Sequence, residues 1–361
     1  MAENYRKTVF CEVQFLKECL SQVNIVEYDC ASLQKLRFWK SIENLLLSPD
    51  IKLFLDISSD VFDSEIKSIE KQKQKAAKKN ENTQLGGYGE LLWRLNCQQI
   101  ESNIHLKCLG ENYIPIDSYE NIKNLNINAI YLTCKDADMC EKISCTYGIS
   151  VFTSKKMDVK KQLFEDVGCA IYKGEKNANW IKILQGKCKT CNALIIVDNY
   201  ILSDIMYIDE NLRGILQSVL PDTLAKNVTF HLSIFTSDLK NRSKDRLDKL
   251  KDIVRELRPE LCCEISIFKN STDAFHDRTI ITNSLWIGCG GGFDLFKKGM
   301  ATKMTVVSIV NPYLTDTMQW AKKAYSNLVK TIGNIINNRN EYINDSYPTF
   351  YLGAGINRLI E

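Results

Sequence analysis

The segment FHDRTIITNSLWIGCGGGFDLFKK, residues 275–298, concentrates residue types that handle anions. The chain has three histidines, and one of them, His276, stands two residues before Arg278 on a strand-like run. On extended backbone, residues i and i+2 share a face about 7 Å apart, so both side chains can address one anion. Gly288, Gly290, Gly291 and Gly292 follow. Glycines allow positive φ and close backbone approach, so the cluster reads as a concave nest of N–H groups for a phosphate. A histidine, a fixed cation and an amide nest are the parts that phosphate binding or phosphodiester chemistry uses. The reading that needs no ligand is a core histidine bonded to Asp198 or Asp294 beside a tight glycine turn.

A second set of candidates is acidic. Glu12 ends an apolar strand, and Asp136 and Asp138 follow the strand AIYLTC, all at carboxyl ends where open α/β sheets place their sites. Converging carboxylates repel one another unless a divalent cation neutralises them, which points to Mg2+ or Mn2+. Glu90, in GYGELLWRL, or Asp56, ending KLFLDIS, could add a fourth oxygen ligand. Such a metal could activate water for phosphodiester cleavage. The competing reading is a capping box formed by Asp138 and Glu141 at a helix start, worth about 1 kcal/mol and carrying no function.

The 275–298 segment resembles the phospholipase D superfamily, whose motif is His-x-Lys, four residues, Asp, then a glycine-rich turn. His276, Arg278 in the lysine position, Asn283 in the aspartate position and Gly288 opening the turn carry the likeness. It is more specifically similar to the phospholipase D-like domain found C-terminal to MIT domains, through His276, Asp277, Arg278, Asn283, Trp286, Gly290, Gly292, Phe293 and Asp294 in that order. The resemblance implies His276, Arg278 and Asn283 as the catalytic positions, and Arg278, Gly288, Gly290 and Gly292 as the phosphate-binding ones. Enzymes of the superfamily use two His motifs, whereas this chain has one, and Asn283 lacks the charge that would orient His276. The MIT-associated domains are regarded as binding modules, which implies recognition of phosphate headgroups or backbones.

Residues 129–153, AIYLTCKDADMCEKISCTYGISVFT, resemble PIN-like nucleases, in which an acid follows the first strand and a later strand is followed by Asp-x-Asp and a helix. That resemblance implies Glu12, Glu90, Asp136 and Asp138 as metal ligands, with Glu12 standing where the family has Asp. A Toprim-type site would use Glu12, Asp136 and Asp138 as well.

The elements that must position these residues alternate short β-branched runs with helical patterns, which predicts an α/β protein of two domains with mainly parallel sheets. Strands are expected at 8–13, 24–28, 52–57, 105–109, 129–134 and 149–153, and again at 193–198, 227–235, 261–268, 279–283, 286–288 and 305–310. Helices are expected at 209–220, 242–257 and 316–336, the last with Trp320, Ala324, Leu328 and Ile332 as a core stripe. A composition change at 174–192 divides a PIN-like or Toprim-like domain, 1–175, from a phospholipase D-like domain, 176–361. Within the first, residues 65–82 are rich in lysine and read as an exposed helix or a mobile insertion, serving either as a solvated face or as a contact to phosphate backbone.

Length supports two domains, since 361 residues exceed one typical domain about twofold. A hydrophobic fraction of 45% against 25% charged excludes disorder, collagen and coiled coil. A net charge of +3 excludes a generally cationic coat, so any phosphate-binding surface is local. No apolar run is long enough to span a bilayer, and the early glutamates argue against a secretory signal, so the expected location is cytoplasmic with the 14 cysteines reduced. Cys188 and Cys191 form a lone CxxC without a second ligand pair.

These readings lead to a metal-dependent nuclease or phosphodiesterase joined to a phosphate-recognising module, of a kind suited to microbial defence. The alternative is a non-catalytic adaptor that binds acidic lipid headgroups or a protein partner. A third reading pairs the His276 residues of a homodimer.

Overall fold

The computed structural model describes residues 7–21, 39–40, 42–48, 51–79, 87–97, 104–106, 130–155, 167–188, 190–270, 278–283, 285–310 and 319–360. Two compact units divide the chain: Arg6–Glu141 with Val151–Leu163, and Lys142–Ser150 with Phe164–Glu361. The chain therefore passes from one unit to the other after residues 141, 150 and 163. Helices and strands are mixed in both, and the protein is α/β.

The N-terminal series runs β1 (Lys7–Glu12), α1 (Val13–Ser21), β2 (Ile51–Asp56), α2 (Ser59–Lys78), α3 (Gly87–Cys97), β3 (Ile104–Leu106), β4 (Ile130–Thr133), α4 (Ala137–Tyr147) and β5 (Ser150–Thr153). These strands form one sheet in the order β3-β2-β1-β4-β5. β1 pairs in parallel with both β2 and β4, and β2 with β3. The order reverses between β1 and β4, which opens a crevice at their carboxyl ends. Parallel strands covered on both faces must be apolar throughout, and Val9, Phe10, Leu53, Phe54 and Leu55 are all buried. α2 buries a stripe of Phe62, Ile66 and Ile69, and its N-cap Ser58 accepts a hydrogen bond from the Val61 amide at 3.4 Å. The expected strand at 24–28 lies outside the described residues, as do residues 107–109 of the strand expected at 105–109.

The C-terminal series continues with β6 (Val167–Ile171), α5 (Trp180–Leu184) and β7 (Ala193–Val197). One helical turn at Ile205–Tyr207 and a π-helical stretch at Ile208–Leu212 lead into α6 (Arg213–Val219). Then come β8 (Phe230–Thr236), α7 (Ser243–Leu257), β9 (Cys263–Lys269), β10 (Thr279–Thr282), β11 (Trp286–Cys289), β12 (Phe296–Lys297), β13 (Met300–Ala301), β14 (Thr305–Val310), α8 (Gln319–Asn337) and β15 (Phe350–Gly353). Sheet order is β15-β9-β8-β7-β10-β11-β14-β6, with β12 and β13 forming a separate hairpin.

This second sheet is mixed, where a mainly parallel one was expected. β7, β8 and β9 run parallel, while β10, β11, β14, β6 and β15 pair antiparallel. The reason is connection length: three residues separate β10 from β11, and a parallel neighbour needs a crossover of about a dozen or more. β6 joins this sheet through β14, which is why the second unit begins upstream of residue 175.

Every residue of β7 and β8 is buried, so the centre of this sheet is dry on both faces. Trp180 is fully buried against the rings of Phe293 and Phe296, with centroids 5.2 and 5.5 Å away. In α8, Val329 and Ile332 are buried and Leu328 is half-buried. The side chains of Trp320 and Ala324 lie outside the described residues. Among the described residues no helix is long and apolar enough to cross a membrane.

Candidate functional site

β10 delivers Arg278 to the carboxyl end of β7. Thr279 pairs with Val197, so the residue before it, Arg278, stands opposite Asp198. The Arg278 carbonyl also accepts the Cys289 amide at 3.0 Å, which draws the glycine turn after β11 to the same sheet edge. Three stretches far apart in sequence thus meet at 198, 278 and 289–294. His276 and Asp277 lie outside the described residues.

Asp198 is 1% exposed. One carboxylate oxygen accepts the amides of Tyr200 and Ile201 at 2.8 and 3.0 Å, and the other accepts the Phe293 amide at 2.6 Å. Burial pushes its pKa up, while those amide bonds pull it back. The turn needs glycine to reach this carboxylate: Gly292 has φ +87°, and a Cβ there would sit 2.6 Å from Asp294 Oδ1. At Gly291 a Cβ would come within 2.9 Å of Thr305 Cβ.

The expected amide nest is used internally. The Gly291 amide donates to Thr305 Oγ1 at 2.9 Å, that of Gly292 to the Cys289 carbonyl at 3.1 Å, and that of Phe293 to Asp198. Gly288 lies within β11, paired with Thr279. Gly290 presents its carbonyl to Arg278 Nη1 at 3.4 Å. The Gly291 and Gly292 amides therefore close the turn on Thr305 and Cys289, the Phe293 amide holds the Asp198 carboxylate, and the Gly290 and Gly291 carbonyls accept from Arg278 and Lys303.

Cations flank those carbonyls. Arg278 is half-buried, its Nη1 contact to Gly290 is long, and its buried Nε has no hydrogen-bond partner among the described residues. Lys303 Nζ donates to the Gly291 carbonyl at 2.9 Å and pairs with Asp294 at 3.1 Å. Sequence reasoning missed Lys303, because nothing in its neighbourhood marks it before the turn and β14 are brought together.

Asn283 is placed differently from its expected role. It follows β10 at the end opposite Arg278, about 16 Å away along extended chain. Fully buried, its amide oxygen accepts the backbone N–H groups of Asn192 and Ala193 at 3.0 and 3.2 Å, and its amide nitrogen donates to Asn192 Oδ1 at 2.8 Å. It braces the start of β7 and shares no ligand with Arg278.

In the N-terminal unit, the register pairs Glu12 with Asp56 at the carboxyl ends of β1 and β2. Glu12 is 4% exposed and already bonded: Tyr131 donates its hydroxyl at 2.6 Å, and Cys134 its amide at 2.9 Å and its thiol at 3.2 Å. Burial, reinforced by Glu12, pushes the Cys134 thiol up to about 12. Asp136 caps α4, accepting the Met139 amide at 2.9 Å. The cap thus sits two residues before the Asp138 expected for a capping box, and Asp138 is exposed in the first turn. Glu90 lies in the first turn of α3, 3.9 Å from Lys73. Among the described residues no three His, Cys, Asp or Glu side chains gather as a group that could hold a metal ion. As these side chains stand, Glu12 is held by three donors and Asp136 serves as a helix cap.

The twelve described cysteines are free thiols. In the CxxC, Cys191 is sealed in the core with its thiol directed at the Val219 carbonyl, and burial pushes Cys188 up to about 12. Neither is poised as a thiolate. No protein-family model matches the chain, and no curated protein matches it in sequence.

Proposed function

We propose that the C-terminal unit recognises a phosphate group, with Arg278 as the anchoring cation and without hydrolysis. The observation that carries this is the guanidinium: a half-buried arginine at a sheet edge, with one long contact to a carbonyl and a buried Nε lacking a partner among the described residues. Such a fork is built to grip two phosphate oxygens at once. Lys303, fixed to the adjacent carbonyl, has its charge matched by Asp294, which leaves Arg278 as the anchoring cation of the turn. The glycine turn contributes rigidity through its bond to Asp198.

Acidic lipid headgroups and nucleic-acid backbones offer the same anion, so both are probed. Vesicles containing phosphatidic acid and a labelled oligonucleotide are titrated with the full chain, with Arg278→Gln and with Arg278→Lys. Loss of an arginine fork on phosphate removes about 1.5–3 kcal/mol, or roughly tenfold to a hundredfold in affinity. Arg278→Lys should recover part of that loss. Equal binding of both probes by wild type and Arg278→Gln overturns the reading.

Phosphodiester cleavage in the N-terminal unit is a second reading. It is favoured by Glu12 and Asp56 standing side by side at the carboxyl edge of a parallel sheet, next to its switch point. Release of labelled fragments that requires Mn2+ and disappears in Glu12→Gln would raise it above the binding reading.

A further inference from the structure

Two helices of this protein are densely charged, and they manage their charge in opposite ways. α7 pairs its charges: Lys249 with Asp209, Lys251 with Asp248 and Arg255 with Asp252. In α2 and its C-cap, residues 67–79 contain six lysines and a single acid, Glu70. One lysine turns inward, Lys73, lying 3.9 Å from Glu90 and 4.3 Å above the centre of the Trp93 ring. The other five, Lys67, Lys71, Lys75, Lys78 and Lys79, are exposed and form no ion pair among the described residues.

Helix geometry turns this imbalance into a track. The buried stripe of Phe62, Ile66 and Ile69 fixes the rotation of α2. At about 100° per residue, Lys67, Lys71, Lys75 and Lys78 then fall within an arc of roughly 80° and span about 16 Å of helix axis. The helix dipole accounts for lysines in the last turn, Lys75 and Lys78, and leaves Lys67 and Lys71 in the middle unexplained. Asp60 and Asp63 occupy the same face nearer the N-terminus and confine the positive stretch to the last three turns.

We propose that this face of α2 binds the phosphate backbone of a nucleic acid. Evenly spaced ammonium groups, without an ion pair among the described residues, on a rigid rod complement a line of phosphates, and they need no base contacts to do so. A bilayer is the less fitting partner. Between the lysines stand Ser68, Gln72, Gln74 and Ala77, the apolar stripe of the helix is buried in the protein, and its one large exposed apolar residue, Val61, lies in the first turn away from the lysine stretch, so that stretch offers nothing large and apolar to insert. The proposal is independent of Arg278, which belongs to the other unit.

The test is fluorescence anisotropy of a labelled mixed-sequence single-stranded oligonucleotide with the full chain across a salt series. For wild type, log K should fall linearly with log salt. Replacing Lys67, Lys71 and Lys75 together by Gln removes three phosphate contacts and should lower that slope by about 2, at about 0.7 per contact. Lys251→Gln, on the paired helix, should leave it unchanged. All three substituted lysines are exposed, and an unaltered far-UV spectrum and melting temperature confirm the fold. An unchanged slope in the triple variant overturns the proposal, as does absence of oligonucleotide binding by wild type. Loss of anionic-vesicle binding in the triple variant, with oligonucleotide binding intact, assigns the face to lipid and overturns it too. Arg278→Gln alters the slope by at most about one contact, so the two readings fail separately.

Discussion

Glu12 and Asp198 hold equivalent places in their two units: each is a buried carboxylate at the carboxyl end of a strand inside the sheet. Their partners differ. Glu12 is held by a tyrosine hydroxyl and by the amide and thiol of Cys134, two side-chain groups that can rotate away. Asp198 is held by three backbone amides, two from the chain directly after it and one from a turn 95 residues downstream. A carboxylate bonded to backbone is part of the frame, whereas one bonded to rotatable side chains keeps an exchangeable coordination. Equivalent topology therefore yields a structural acid beside an arginine held by one long contact to a carbonyl among the described residues in one unit, and in the other an acid whose partners can change.

Removing the framing acid should have the largest effect. Asp198→Ala leaves the amides of Tyr200, Ile201 and Phe293 without acceptors and should cost about 3 to 5 kcal/mol in urea unfolding. A loss under about 1 kcal/mol would show that the turn finds other acceptors and would erase the contrast.

The next effect is set by pH, at a second locked polar group of the C-terminal unit. His231 is 7% exposed, and its Nδ1 accepts the Arg358 amide at 3.0 Å, so it is bound as the neutral ring. Burial, helped by the charge of Arg358, lowers its pKa to about 4. The unfolded chain, titrating near 6.5, binds the proton more readily, so this stabilisation is complete above about 6.5 and is lost as pH falls towards 4. Up to about 3 kcal/mol should disappear across that window, and His231→Asn should flatten the profile. Identical profiles for the two proteins would contradict the geometry.

The smallest effect is expected at Glu12. Gln in its place keeps an acceptor for Tyr131 and sets an N–H group against the Cys134 amide, costing about 1–2 kcal/mol. A cost as large as that of Asp198→Ala would make Glu12 a frame residue as well.

Much of the scaffold was legible in the residue pattern, because burial on both faces demands unbroken apolar strands and amphipathic helices demand a stripe. ALIIV and FHLSIFT read directly as β7 and β8, and α7 begins within one residue of its expected start. The helix cap at α4 was misjudged by two residues because Asp136 and Asp138 are chemically alike, and only the point where the backbone coils distinguishes them. The C-terminal site was half legible. Arg278 and the glycines stand out as a cluster, yet the direction of the turn's amides depends on Thr305, which takes that of Gly291, and on Asp198, which takes that of Phe293, and the linear chain connects neither to the turn. Asn283 matched a motif by spacing and turned out to brace β7, because a residue's position in a strand does not say which end of the strand faces the site.

The amino-acid order on its own determined the α/β class, the apolar strands and the excess of lysine after residue 66, since composition and periodicity act over a few residues. Tertiary structure alone decided that the second sheet is mixed, that Arg278 faces Asp198, that the glycine amides turn inward and that one lysine of six pairs with Glu90. Those outcomes rest on contacts between segments tens of residues apart, whose geometry exists only once the strands are in register.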